Sequence, residues 1–375
     1  GGVTVSIIVT IGLALLLSLL MTRLMIRLGP VLGLVDRPDE RRIHEGEIPR
    51  AGGIAVWVTF VVVGGVLVLF PAGASFDGGW FRAFVLASGI LLAIGVIDDR
   101  FGMSAWVKLA GQAGVAALLF FAKGSGVGSF LGLEVPWWLD LAIWIAWTVG
   151  IINAFNLIDG MDGLCAGLAV ISLSALATIS MINGHLEVGV MTLVVVGALL
   201  GFLRYNFHPA RIFLGDAGSM FIGLFIASAA TESVGERAVA VSVLLPLLVA
   251  GVPLFDVILA VWRRTARRWL SQLGAGRAAR LFGADKDHLH HRLLAAGLTQ
   301  RKVAGILYAL ALGGVLVAIL PSIFDERAIG ITVAGVFVAA LLGFRYLAPV
   351  ELHTSGAILH LALMRPSAGR LVALV

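Results

Sequence analysis

Residues 141–158 read Leu141-Ala-Ile-Trp-Ile-Ala-Trp-Thr-Val-Gly-Ile-Ile-Asn153-Ala-Phe-Asn156-Leu-Ile158, eighteen positions without an Asp, Glu, Lys or Arg. They run directly into Asp159-Gly-Met-Asp162-Gly163. An apolar stretch of this length is close to what a helix needs to cross a bilayer core. Ten more charge-free stretches surround it, at 1–22, 51–76, 83–97, 109–122, 163–186, 188–203, 217–231, 238–255, 303–324 and 328–344. Flanking residues lengthen the shorter ones, because Lys and Arg near a helix end can reach back to the interface. The fourth is expected to begin near Ser104, with Lys108 in its first turn. No strand-like alternation is present, and helices satisfy their own backbone hydrogen bonds in lipid. The predicted fold is an all-α integral membrane protein of about eleven transmembrane helices. One polytopic domain spans 1–345, with a His-rich polar loop at about 262–302, and a tail covers 346–375.

Composition excludes the alternatives. Of the 375 residues, 59% are hydrophobic and 13% charged, where a soluble domain carries roughly 25% charged residues. A single cysteine, Cys165, rules out a disulfide scaffold. The hydrophobicity rules out disorder. Residues 1–22 lack a basic n-region and are followed, not preceded, by Arg23, so they read as an anchor and not as a cleaved signal.

Charge sets the orientation. The connections holding residues 23–50, 100–108, 204–211, 263–302 and 345–370 contain 23 of the 27 Lys and Arg residues. The other connections hold only Arg82, Lys123, Arg237 and Arg327. The positive-inside rule assigns the first set to the cytoplasm. An odd number of spans then leaves the N-terminus outside and the C-terminus cytoplasmic. The net charge of +5 is accounted for by cytoplasmic loops beside anionic lipid, so no nucleic-acid partner is implied. The segment Trp262-Arg-Arg-Thr-Ala-Arg-Arg-Trp269 reads as interfacial.

In that topology Asp98, Asp99, Asp159, Asp162, Asp216 and Asp256 all fall at cytoplasmic helix ends. Ionisable groups at membrane depth usually face a cavity, and packed carboxylates call for a divalent cation or cationic side chains. Asn153, Asn156, Asp159 and Asp162 recur every third position, each step turning a helix by about −60°. Gly160 and Gly163 are expected to end the helix there. Near Gly215-Asp216-Ala-Gly-Ser219 the amides opening a helix suit an anion, and Mg²⁺ between Asp216 and a phosphate would relieve the like charges. His288-Leu-His290-His291-Arg292 lacks the further ligands of a zinc site and reads as a phosphate-binding group. Pro49 and the Gly52-Gly53 pair form a turn that brings Arg50 to membrane depth. His185, His208, His353 and His360 are isolated and read as structural or incidental.

Together these segments resemble the polyprenyl-phosphate N-acetylhexosamine-1-phosphate transferase superfamily. The resemblance rests on Ile48-Pro-Arg-Ala-Gly-Gly53, Asp98-Asp-Arg100, Lys108 with Gly111-Gln112, Asn156-Leu-Ile-Asp-Gly-Met-Asp-Gly163, Phe213-Leu-Gly-Asp-Ala-Gly-Ser219 and His288-Leu-His-His-Arg-Leu293, in order. It covers about 44–298. The His-x-His-His-Arg-Leu form and Pro-Arg-Ala-Gly-Gly resemble the branch that initiates O-antigen, common-antigen and teichoic-acid polymers.

The resemblance implies transfer of N-acetylglucosamine 1-phosphate from a UDP-sugar, UDP-N-acetylglucosamine, to undecaprenyl phosphate. UMP is released, Mg²⁺ is required (Mn²⁺ as a substitute), and the site lies on the cytoplasmic face of a bacterial inner membrane. It further implies Asp216 and Asn156 at the metal. Asp98 is assigned to the lipid phosphate, and Asp99 to supporting the metal or positioning Lys108. Asp159, Asp162 and Asn153 fall on the nucleotide side, with Phe213 stacking on uracil. His288, His290, His291 and Arg292 hold the diphosphate or sugar, and Lys108 and Arg50 contact phosphate. A homodimer is in keeping with the family. Direct attack by the lipid phosphate and a two-step route through an aspartyl phospho-sugar both remain open, as does the peptidoglycan branch, phospho-N-acetylmuramoyl-pentapeptide transferase. A cation-coupled transporter is the rival class; it would call for internal repeats and midplane charges, and neither is evident.

Overall fold

The computed structural model describes residues 2–36, 47–70, 76–123, 129–130, 133–233, 251–272, 289–295, 297–324 and 335. Among them the chain forms helices α1 (Gly2–Val31), α2 (Gly52–Leu69), α3 (Gly78–Phe101), α4 (Ala105–Lys123), α5 (Trp137–Ile158), α6 (Leu164–Ile182), α7 (Leu186–Asn206), α8 (Gly215–Glu232), α9 (Gly251–Gln272), α10 (Leu289–Ala295) and α11 (Gln300–Phe324). The strands are two-residue pieces. β1 (Val35–Asp36) pairs antiparallel with β2 (Ile48–Pro49), and β3 (Ser129–Phe130) with β4 (Leu133–Glu134). The protein is an all-α integral membrane protein, and eight of the described helices, α1 to α7 and α11, are long and apolar enough to cross a bilayer.

The span over 217–231 corresponds to α8, which falls outside those eight because its eighteen residues take in Asp216 and Glu232, two acids that lower its mean hydropathy. It lies against α5, α3, α2 and α6 and is buried along nearly its whole length, Gly215 to Ala230. A helix enclosed by other helices has no need of lipid-facing Leu and Ile. Its Gly, Ala and Ser residues instead allow close approach, the usual device of helix contacts in membranes. A Cβ on Gly53 of α2 would meet the Gly218 backbone, and one on Gly95 of α3 would meet Ala217. A knot of aromatic rings from α2, α3 and α8 (Phe60, Phe84, Phe221 and Phe225, with centroids 5.5–6.4 Å apart) fills the space behind. Buried indoles find acceptors: Trp144 Nε1 donates to Ala116 O at 2.8 Å and Trp57 Nε1 to Ser88 Oγ at 3.0 Å. In lipid no water could serve instead.

Two expectations shift. The span at 238–255 is described only from Gly251, and the helix it enters continues to Gln272, so 262–272 belongs to a helix and not to a loop. The span at 328–344 and the tail at 346–375 lie outside the described residues, apart from residue 335. Asn153, Asn156, Asp159 and Asp162 do not form one helical stripe either. α5 ends at Ile158, Asp159 is its C-cap, and Gly163 at φ 73° starts α6.

Candidate functional site

The ends of α1, α3, α5 and α7 and the starts of α2, α4, α6 and α8 meet at one end of the bundle, tied by their connections. Arg50 N donates to Leu34 O at 2.9 Å, Phe213 N to Pro49 O at 2.7 Å, Gly52 N to Phe213 O at 3.0 Å and Gly53 N to Leu214 O at 2.8 Å. These bonds satisfy loop backbone that would otherwise be costly to bury. They also frame a cleft of about 270 Å³ whose wall includes Asp36, Arg50, Asp99, Asp159, Asp162, Asn206, Phe213, Asp216, His291 and Gln300.

Charges of both signs interleave here. Lys108 Nζ lies between Asp98 Oδ2, at 2.6 Å, and Asp216 Oδ2. Two carboxylates from different helices thus converge on one cation. Asp99 accepts from the Asp216 amide at 3.2 Å and the Ala217 amide at 3.3 Å, occupying the positive end of α8. The anion expected at that helix start is therefore Asp99 itself, which fixes the direction in which α8 presents Asp216. Arg50 Nη2 meets Asp36 Oδ1 at 2.9 Å, and Nη1 stands 3.8 Å from Asp99 Oδ1. Desolvation, then the charges of Asp216 and Asp99, push the Asp159 carboxyl well above the usual carboxylate range, against the opposing pull of Arg50.

The remaining predicted residues separate. Asn156 Nδ2 donates to Ser219 Oγ at 3.0 Å and lies beside the Asp216 carboxylate. Asn153 sits one turn deeper, donating to Gln112 Oε1 at 2.7 Å, and is not in the cleft wall. Phe213 and His291 are in the wall. His290 is buried, its ring against Gly160 and 4.3 Å from that of His291. Arg292 follows on α10, and His288 lies outside the described residues. Asp256 is buried on α9 and accepts from Leu289 N at 2.8 Å, anchoring the start of α10.

Sequence reasoning missed Asp36, Asn206 and Gln300, and it named Gln112 and His208 without giving either a role in the site. Asp36 follows α1 at a small interval and so escaped a search for carboxylates closing apolar stretches. Gln112 is four residues after Lys108, on the same helical face, and that spacing was a usable signal. His208 is not incidental, because its Nδ1 meets Asp162 Oδ2 at 2.8 Å.

The donor set suits Mg²⁺. Among the described residues no three His, Cys, Asp or Glu side chains converge as a complete cage. Mg²⁺ is commonly held by one or two carboxylates with substrate phosphates and water, so Asp216, with Asn156 beside it and its Oδ2 bonded to Lys108 Nζ, is the carboxylate that could hold one.

A family model described as glycosyl transferase family 4 matches residues 81–234. The chain is 36% identical over 285 residues, 74% of each chain, to a Bacillus subtilis protein called probable undecaprenyl-phosphate N-acetylglucosaminyl 1-phosphate transferase. It is 36% identical over 309 residues, 74% of this chain and 73% of the other, to decaprenyl-phosphate N-acetylglucosaminephosphotransferase of Mycobacterium tuberculosis. Over 291 residues, 75% of this chain and 74% of the other, it is 30% identical to undecaprenyl-phosphate alpha-N-acetylglucosaminyl 1-phosphate transferase of Escherichia coli.

Proposed function

This chain belongs to glycosyl transferase family 4, and from that premise we propose that it transfers N-acetylglucosamine 1-phosphate from UDP-N-acetylglucosamine to undecaprenyl phosphate. It is a glycosyl-1-phosphate transferase embedded in a membrane. The observation that carries the reading is the interleaving of Arg50 and Lys108 with Asp36, Asp98, Asp99 and Asp216 at one end of a membrane bundle. Such a site can bring two anions together.

In the proposed reaction an oxygen of the lipid phosphate forms a bond to the β-phosphorus of the UDP-sugar. The bond from that phosphorus to the bridging oxygen breaks, and UMP leaves with the electron pair. A phosphate monoester has its second pKa near ~6, so the nucleophile needs little help from a base, and direct attack is the simpler route. Asp98 orients the lipid phosphate and takes up its remaining proton. Arg50 and Lys108 bind phosphate oxygens, Phe213 stacks on the uracil, and His291 holds the diphosphate or sugar. Asp216, with Asn156 beside it, would hold Mg²⁺, which supplies charge screening as the phosphates approach. Asp99 keeps Asp216 in place through the α8 amides.

Eleven crossings, with the start of α1 outside and the cleft facing the cytoplasm of a bacterial inner membrane, complete the proposal. There the product would initiate cell-envelope polysaccharide synthesis. The test uses purified protein, Mg²⁺, undecaprenyl phosphate and labelled UDP-N-acetylglucosamine. UMP and a labelled lipid are expected. No product with this or any other UDP-sugar overturns the reading, and transfer from UDP-N-acetylmuramoyl-pentapeptide would move it to the peptidoglycan branch.

A further inference from the structure

Asp162 differs from the other carboxylates of the cleft in what it holds. Its side chain is 4% exposed, and Oδ2 accepts two hydrogen bonds, from His208 Nδ1 at 2.8 Å and from the Ala210 amide at 3.1 Å. Both donors belong to the connection between α7 and α8, residues 207–214, which delivers Phe213 and Asp216 to the cleft. The far half of that connection is pinned by Pro49, Gly52 and Gly53. Its start is pinned by Asn206, which accepts from Gly163 N at 3.1 Å and donates to Ile212 O at 2.8 Å. Between those anchors Asp162 holds the His208 side chain and the Ala210 amide, while Arg301 Nη2 donates to His208 O at 3.4 Å and Arg211 N to Tyr205 O at 2.8 Å.

The sequence placed Asp162 among the groups that act on substrate. We propose instead that Asp162 and His208 are positioning residues. They form a clasp that sets the α7–α8 connection and so shapes the nucleotide-sugar end of the cleft, without touching the reacting phosphates. The proposal rests on the transferase reading. Imidazole donates from Nδ1 both when protonated and in one neutral tautomer, so the clasp does not need His208 to be charged. The ring is 42% exposed, so its removal leaves no cavity in the core.

The test is a set of variants measured for turnover and for amide hydrogen exchange. His208→Ala should raise KM for the UDP-sugar about tenfold, the worth of a hydrogen bond to a charged group. KM for undecaprenyl phosphate should stay near its wild-type value, and kcat should fall by less than about threefold. His208→Asn places an amide N–H close to where Nδ1–H stood and should restore most of the loss. Asp162→Asn keeps an acceptor oxygen and should be much milder than Asp162→Ala, whereas a carboxylate acting on phosphate or metal would suffer alike in both. Because one bond joins the pair, Asp162→Ala with His208→Ala should be no worse than Asp162→Ala alone. A wild-type KM in His208→Ala, equal damage in Asp162→Asn and Asp162→Ala, or additive losses would overturn the clasp. Hydrogen exchange is read independently of turnover. Ala210 should lose protection in His208→Ala and keep it in His208→Asn, and unchanged protection in both overturns the clasp even if no transferase activity is found.

Discussion

The two ends of the bundle hold cavities of similar size, and both contain carboxylates. At the end opposite the cleft, a space of about 220 Å³ is lined by Phe76, Trp80 and Phe225 together with Asp77, Glu187 and Glu232. Two of those acids sit where any helix favours one. Asp77 caps α3, accepting from Gly79 N at 2.7 Å, and Glu187 lies in the first turn of α7. No Lys or Arg belongs to that lining. The cleft, by contrast, has Arg50 in its wall beside Asp36 and Asp99, and behind Asp216 the Lys108 ammonium draws oxygens from two helices to one point. Acidity at a helix end is ordinary; acids that share cations across three helices point to phosphate chemistry.

The largest expected effect breaks that comparison at its two ends. Asp216→Asn should lower turnover on the order of a thousandfold, as loss of a preorganised charge partner does. Glu187→Gln should stay within about twofold of wild type by the same UMP-release assay, since truly ordinary surface changes are nearly neutral. Comparable losses in both would mean that the two ends are not chemically distinct.

The next concerns backbone approach. Gly53→Ala and Gly95→Ala place a methyl against the chain at Gly218 and Ala217, pushing the start of α8 and therefore Asp216. A misplacement of about 1 Å can cost roughly a hundredfold in rate, so a loss of at least that order is expected, together with a lower melting temperature. Gly114 and Gly150 have nothing within 4 Å of an added Cβ, and Ala there should be tolerated in thermal melting and in turnover.

A smaller effect sharpens the role of Lys108. Its ammonium bonds Asp98 and Asp216, so a divalent cation held at Asp216, as proposed, would have to compete with it for that carboxylate. Lys108→Met should therefore bind Mn²⁺ several-fold more tightly, as read by electron paramagnetic resonance, through the removal of a competitor. Turnover should fall at the same time because the proposed phosphate contact is lost. Weaker Mn²⁺ binding would place the lysine in support of the metal and not in competition with it.

The helices were legible because lipid imposes long apolar runs, and the stretches at 51–76, 109–122 and 163–186 fall on α2, α4 and α6. α8 was legible by position, but its enclosure was not, since Gly218, Ser219 and Gly223 lower its apolar character for the sake of contacts that periodicity cannot see. Asp98, Asp99, Asp159 and Asp216 announced themselves by closing or opening apolar runs. What they hold did not. The partners Asp98–Lys108, Asp99–α8 amides and Asp162–His208 include two separated by 117 and 46 positions, and no single-sequence pattern pairs them. Asp36 and Arg50 meet through a two-residue ladder too short to carry a strand signature.

The smallest effect separates binding from stability within the cleft. Asp159 has its carboxyl pushed upward chiefly by desolvation and then by Asp216 and Asp99. Its folded form therefore holds a proton more tightly than the unfolded chain, whose Asp titrates near ~3.9. As pH rises from about 4 toward the raised folded value, the unfolded state loses its proton first, and this residue's contribution to stability falls. Asp159→Asn removes the cost, so in the presence of a metal chelator it should melt above wild type near neutrality. The gap should narrow as the pH is lowered toward 4. A gap that widens on acidification would contradict the repulsion assigned to Asp159, and a gain in melting temperature with a loss of turnover would show that the cleft keeps this carboxylate at the expense of stability.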